Sequence, residues 1–485
     1  MRKSNDFCLW HRPCSELLSR EQLTKIYDAA LHVLERVGGD FHDQEAVELL
    51  SGAGAHVKDG KRVRIPSHLV EQALGTVPRR VVIADRGGRA RMFLERENVY
   101  FGTGSDTNFT LDPYTGKRRK ALKEDVAKAA LLVDYLSDID FCMSFGLASD
   151  VNPMTSDCHH FEAMVSNTEK PLIMCCWDVE GLKRIFDMMV AVRGSEEDLE
   201  ARPFVLIYVQ AISPLVFPRE SLQKLLFCAE KRIPLIWIPG CPTMGATGPI
   251  HPAGTMVVGV AEFLAGVLLT QLKRKGSPVI GSGRGCCVLD MQTGLMPYGA
   301  PEYGMGDGMA RFLNIPSWGT GGVSDSKILD EQAVAEAYQS LYHSALFGSN
   351  LIHDVGYLDN GNTSSPELLT MCNDLISKTR RFLRSFVVSQ ETLSLDVIEQ
   401  VGPGGTFLDH PQTAEHFRDE IWMPELLDRQ DHDGWVASGS RTFKERANEK
   451  ARWILENHEP ARLPSEVARD LRRIVEEYDR TRGKG

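Results

Sequence analysis

Between residues 99 and 355 the chain repeats one event eight times. A short apolar or β-branched run ends in Gly, Asp, Asn, Ser or Pro, and a helical stretch follows. The expected strands are Val99–Gly104, Asp140–Leu147, Leu172–Trp177, Phe204–Gln210, Leu235–Ile238, Val279–Gly281, Ser317–Gly319 and Leu351–Val355. A β-then-α order demands parallel strands, because each parallel neighbour is reached only through a long crossover. Eight is also the number that closes a parallel barrel. The rival, a doubly wound open sheet, needs a glycine-rich phosphate fingerprint after its first strand. Gly102-Thr103-Gly104-Ser105-Asp106-Thr107 lacks the third glycine.

The expected fold is therefore α/β, a TIM (β/α)8 barrel over residues 99–390. A helical N-terminal extension covers 1–98, and a helical C-terminal extension over 391–485 packs on the barrel. Helices are expected over Gln22–Val37, ended by Gly38-Gly39, and over His68–Leu74 with Ser67 as N-cap. Others are expected over Leu122–Leu136, Glu220–Lys231, Thr255–Lys275, Ile328–Phe347, Pro366–Arg384 and Pro464–Arg480. Ser365-Pro366-Glu367 is a strong start, with a capping serine, proline at the first helical position and an acid in the first turn.

Composition removes several classes. The 66 acidic and 55 basic residues leave a net charge of -11, which disfavours nucleic acid. Thr255–Leu272 approaches membrane length but carries Glu262 and Gln271, and Lys273-Arg274-Lys275-Gly276 closes it like a helix end. It reads as a buried helix, and no membrane association is expected. Met1–Asp6 has no apolar core, so no signal peptide is expected. Eleven cysteines, with adjacent pairs at Cys175-Cys176 and Cys286-Cys287 and no C-x-x-C, do not form a disulfide framework. A reducing, cytoplasmic compartment follows.

A barrel keeps its chemistry at the C-terminal ends of its strands. Those ends carry Asp106, Trp177, Gln210, Trp237, Arg284, Tyr298, Asp325, His353, Asp354 and Tyr357. Trp177, Trp237, Tyr298, Tyr303 and Tyr357 put aromatic faces near one rim, and such faces attract a quaternary ammonium. Large aromatics also seal a barrel mouth without binding anything. His353 can be a packing residue, although Asp354 and the glycines at 356 and 361 favour a working role. Cys241, Cys286 and Cys287 could hold zinc, but adjacent strand residues face opposite ways, which weakens that set. No G-x-S-x-G, H-E-x-x-H or Walker loop is present. The chain does not display a nucleophile of its own.

Four segments resemble one family: Gly240–His251 with the helix after it, Thr293–Asp307 (TGLMPYGAPEYGMGD), Gly319–Gln332 (GTGGVSDSKILDEQ) and His353–Gly361 (HDVGYLDNG). Together with Glu425–Arg429 and Trp435, they resemble the trimethylamine methyltransferase (MttB) superfamily in its pyrrolysine-free branch. The resemblance covers most of the chain beyond residue 20.

It implies a methyltransferase that moves a methyl group from a quaternary amine, glycine betaine or a related betaine, to the Co(I) corrinoid (cobalamin) of a separate partner protein. The archaeal founder carries pyrrolysine near the seventh strand, where this chain has only standard residues. On this resemblance His353 is the expected catalytic residue, near the corrinoid or the transferring methyl. Trp177, Gln210, Trp237, Arg284, Tyr298 and Tyr357 are the expected substrate-binding residues, with Gln210 and Arg284 as candidates for a betaine carboxylate. Asp106, Asp325 and Asp354 are expected to support them. No bound metal is expected, and the apolar C-terminal helices point to a homo-oligomer. Two other readings stay open: a zinc-dependent thiol methyltransferase of the homocysteine type, and a barrel that binds a betaine without catalysis.

Overall fold

The computed structural model describes residues 15–105, 107–281, 287–300, 308–384 and 386–482. Its parallel pairings form one continuous series. Leu172–Cys175 pairs with Val205–Gln210, which pairs with Leu235–Ile238, which pairs with Val279–Ile280. Trp318–Thr320 pairs with Leu351–His353, which pairs with Tyr100–Phe101. Two parallel bridges, Gly102 to Phe141 and Cys142 to Leu172, join these sheets on one side. On the other side Gly281 N–H donates to Pro316 O at 3.0 Å. The series therefore returns to its start, with every expected run hydrogen-bonded to its neighbours in chain order.

Two apolar layers result. Alternate strand residues, among them Phe141, Met143, Ile173, Leu206, Ile236, Ile238, Ile280, Trp318 and Leu351, form an inner cluster. Their neighbours in sequence, such as Leu172, Val205, Ile207, Val209, Leu235 and Ile352, pack outward against the helices. One face goes to each layer because side chains alternate along a strand. The hairpin of Val81–Ala84 and Ala90–Leu94 adds Val81, Ile83, Met92 and Leu94 to the inner cluster, and Ala84 N–H donates to Pro203 O just before a strand begins. It therefore covers the end of the series where the strands start.

The first hundred residues depart from the helical expectation. Besides helices Arg20–Arg36, Gln44–Gly52 and Ser67–Leu74 they hold strands Gly39–Phe41, His56–Lys58 and Arg62–Arg64 and the hairpin above. Gly39–Phe41 pairs in parallel with Val216–Phe217, tying this region to a segment far along the chain. Strands of three to five residues are too short to show a period, and long-range pairing decided them. Ser67 is also not the N-cap. Pro66 holds the extended cap conformation, while Ser67 Oγ donates to Glu35 at 2.9 Å.

The helix starts and stops agree better with the sequence. Ser365 accepts from Leu368 N–H at the head of Pro366–Leu383. The helix Pro252–Lys273 is the one helix among the described residues both long and apolar enough to cross a membrane, and it is a buried core helix. Beyond Ser389 come helices Leu395–Val401, Pro411–Glu420, His432–Ala437, Phe443–Asn457 and Ser465–Arg482. The last buries Leu471, Val475 and Tyr478 and is held by Arg482 on Asp178 and by His159 Nε2 on Asp479 at 3.1 Å. The eight cysteines of the described residues are all free thiols.

Candidate active site at the strand ends

His353 ends its strand with its ring tightly surrounded. Its centroid lies 4.1 Å from that of Trp318 and 6.5 Å from that of Tyr208. Trp318 and Tyr208 are 5.6 Å apart, and Phe141 lies 6.4 Å from Trp318. The parallel register sets this up, because Trp318 pairs with Leu351 and Thr320 with His353. Gly102 makes room for Phe141, since a Cβ there would sit 2.2 Å from the Phe141 ring.

The imidazole faces acceptors at both nitrogens. Nδ1 is 2.6 Å from Gly319 O, and Nε2 is 3.1 Å from Asp354 Oδ2. A carbonyl and a carboxylate only accept, so both contacts are hydrogen bonds when each nitrogen carries its hydrogen. Asp354, the acceptor facing Nε2, is itself buried. Asp354 has φ +71, a left-handed backbone, and Gly104 across the gap could not carry a Cβ, which would fall 2.2 Å from Asp354 Oδ1. Glycine at 104 thus lets two strand ends approach.

Tyr208 and Gln210 share the inward face of Val205–Gln210, and Tyr208 Oη donates to Gln210 Oε1 at 2.8 Å. Burial holds the Tyr208 phenol well above its ordinary pKa, and nearby Cys241, Cys175, Asp354 and Tyr298 push the same way. It therefore stays a neutral donor, and the Gln210 amide turns its NH2 end away from it. Ser105 Oγ and Cys175 Sγ, 3.2 Å apart, complete this wall.

The other expected residues divide by position. Tyr357 is buried, with its ring 5.9 Å from Phe145 and its hydroxyl donating to Ser105 O. Tyr298 packs against Gly361. Asp325 holds the loop that carries it, accepting from the Tyr298 and Gly299 N–H groups at 2.8 Å each and from Asn360 Nδ2 at 2.9 Å. Burial raises the Asp325 pKa and neighbouring Glu336 adds to the rise, while the Gly299 and Tyr298 N–H bonds and the Lys327 charge oppose it. Trp177 is 65% exposed on the outer rim, with Ile212, Ile250, Met291, Leu295 and Met296 on the loops that follow. Thr243 Oγ1 lies 3.5 Å from Met296 Sδ, so the fifth and sixth of these loops touch.

Trp237 corrects the expectation most clearly. It is fully buried on the outward face, and its Nε1 donates to Glu262 O at 3.0 Å inside the core helix. Ile236 and Ile238 face inward instead, so alternation removes Trp237 from any binding role. Arg284, Asp106 and Tyr303 lie outside the described residues. Tyr208, Trp318 and Phe141 were not singled out from the sequence. Counting back by two from Gln210 reaches Tyr208, but nothing local marks Trp318. Among the described residues no three His, Cys, Asp or Glu side chains gather as a metal set. Cys287 instead engages Pro242 and Met244 through its backbone.

A buried histidine makes the fold acid-sensitive. His160 Nε2 accepts from Ala148 N–H at 3.1 Å, and burial lowers its pKa from 6.5 to about 4. A depressed histidine contributes stability above its unfolded value and loses it as pH falls through the window between the two. Unfolding free energy is expected to drop by about 3 kcal/mol across that window, and His160→Gln to flatten the drop. Urea titrations at pH 7 and pH 4 check this, and equal slopes for both proteins count against it.

A sequence model described as trimethylamine methyltransferase (MTTB) matches residues 4–483. The chain is 34% identical to "Trimethylamine methyltransferase MttB" of Desulfitobacterium hafniense, covering 95% of this chain and 93% of that one. It is 28% identical to "Glycine betaine methyltransferase" of another strain of that species, covering 96% and 97%. It is 30% identical to "Trimethylamine methyltransferase MttB" of Methanosarcina thermophila, covering 94% and 96%. The crystal structure of the Methanosarcina barkeri monomethylamine methyltransferase MtmB superposes with a TM-score of 0.52 at 11% identity, covering 90% of this chain and 87% of that one. That likeness concerns fold alone.

Proposed function

The chain belongs to the trimethylamine methyltransferase (MttB) family, and from that premise we propose that it passes a methyl group from a quaternary amine of the betaine class to the Co(I) corrinoid of a separate protein. We read the closed series of pairings as a (β/α)8 barrel whose inner face receives the substrate. The observation that supports this reading best is the aromatic wall of Tyr208 and Trp318 beside the His353–Asp354 pair.

A quaternary ammonium has no N–H to donate, so its charge is met by electrostatic contacts with its methyl groups, and each aromatic face contributes about 0.5–2 kcal/mol. Its nitrogen departs as a neutral tertiary amine, keeping the electron pair of the broken N–CH3 bond, so no acid is needed. When bound, reduced cobalt supplies the electron pair that takes the methyl. That matches a chain without a displayed nucleophile. The chain's own residues hold the cation, point one methyl outward and exclude water. Gln210, at the exposed end of its strand, is placed to meet a carboxylate tail through its NH2 group.

The rim suits a partner that carries a large apolar macrocycle. Trp177, Ile212, Ile250, Met291, Leu295 and Met296 present exposed apolar side chains around the strand ends. They would receive the partner, with His353 nearest the transferring methyl.

The test mixes the protein and a Co(I) corrinoid protein with glycine betaine, proline betaine, carnitine, γ-butyrobetaine or trimethylamine. Loss of the Co(I) absorption with release of the tertiary amine is expected for a betaine. Turnover of trimethylamine alone, which the relatives' names make the natural control, removes the quaternary reading. Calorimetric binding without demethylation points to a non-catalytic barrel. Activity that tracks stoichiometric zinc points to thiol methylation.

A further inference from the structure

Glu262 lies in the middle of the core helix Pro252–Lys273 with no exposed surface, yet its carboxylate is fully engaged. Oε2 accepts from Ser213 Oγ at 2.8 Å and from Gly240 N–H at 2.9 Å, while Oε1 accepts from Leu215 N–H at 2.8 Å. These donors belong to two different strand-end loops. Residues 211–215 follow Tyr208 and Gln210, and Gly240 follows Leu235–Ile238 and precedes Cys241.

Both loops are shaped around that carboxylate. Leu215 has φ +60 and Cys241 φ +53, backbone conformations that non-glycine residues rarely adopt and that surrounding contacts must hold. A Cβ at Gly240 would sit 2.1 Å from Ser213 N, so the two loops touch backbone to backbone at the same point. Ala211 N–H donates to Ile238 O at 3.0 Å just before they diverge. The helix is thereby tied to the fourth and fifth strand ends.

We infer that Glu262 is a positioning residue for the substrate wall, fixing the Tyr208–Gln210 pair and the Cys241 loop relative to each other from behind the barrel. A buried acid with no such task would be replaceable by an apolar side chain, since desolvation alone works against it. Burial does raise the Glu262 pKa, and the three donors oppose that rise in favour of the carboxylate. Glu262 touches neither substrate nor cobalt. Its effect passes through the two loops.

This inference rests on the quaternary-amine reading above for its kinetic consequence, but its structural consequence can be read without any substrate. Glu262→Gln keeps the size and replaces one acceptor oxygen with an NH2 group, so one backbone donor then faces another donor. Amide hydrogen exchange is expected to rise about tenfold in one loop, 211–216 or 240–245, for Glu262→Gln and in both loops for Glu262→Ala. The strand Leu172–Cys175 should keep its protection in the glutamine variant. In turnover, Glu262→Gln is expected to raise KM for the preferred betaine about tenfold, more than it lowers kcat. Glu262→Asp should restore part of this.

Glutamine with unchanged exchange in both loops overturns the inference. So does a rise spread evenly over the whole fold, or kcat falling while KM holds. If no quaternary amine is turned over by the parent protein but the loops still loosen as described, the substrate reading has failed and the tie between the loops stands.

Discussion

Replacing His353 with alanine is expected to slow methyl transfer about 10²-fold while changing substrate affinity less than about threefold, the signature of lost alignment at the reacting atoms rather than lost binding. The ring is positioned from three sides, by Gly319 O, by Asp354 and by the face of Trp318. Alanine also leaves the buried Asp354 carboxylate without this partner, so His353→Gln serves as the second variant, its terminal amide returning a donor near the position of Nε2. Single-turnover rates with saturating betaine separate the step from binding, and calorimetry reports affinity. Equal losses in both quantities would move His353 from the methyl to the cation-binding wall. An unchanged rate would remove it from the reaction altogether.

The second large effect is expected at Tyr208, which the sequence did not mark. Tyr208→Leu removes one aromatic face from the proposed cation site and should raise KM up to about 30-fold for every quaternary amine tested, the equivalent of a desolvated cation–π contact. Tyr208→Phe keeps the face but loses the hydroxyl that orients Gln210. It should therefore weaken betaines, which carry a carboxylate, and leave tetramethylammonium binding as it was. Measuring both ligands against both variants separates the two tasks. If leucine and phenylalanine behave alike with tetramethylammonium, the ring does not hold the cation. If phenylalanine weakens both ligands equally, Gln210 does not read the tail.

Much of the scaffold was legible in one chain. Eight apolar runs, each ended by turn residues and followed by a helical period, located the strands, and Ser365-Pro366-Glu367 located a helix start that the structure repeats. Those signals are local. The helix signals depend on hydrogen bonds within one stretch, and the strand signals on residue type and flanking turn residues, so both survive without knowledge of neighbours.

What the tertiary structure alone decided is which way each strand side chain points. Strands buried on both faces are apolar throughout and carry no inward or outward mark. Trp237 therefore stands among the expected rim residues, while nothing in its strand marks Tyr208. The parallel register turned Tyr208, Trp318 and His353 to one side and Trp237 to the helix that carries Glu262. The same holds for Gly39–Phe41, whose partner is Val216–Phe217. The sequence by itself determined the order of elements and the chemistry available at their ends. Pairing between residues far apart in the chain chose which of those groups meet, because a side chain's facing follows from its strand's neighbours and not from its own residue type.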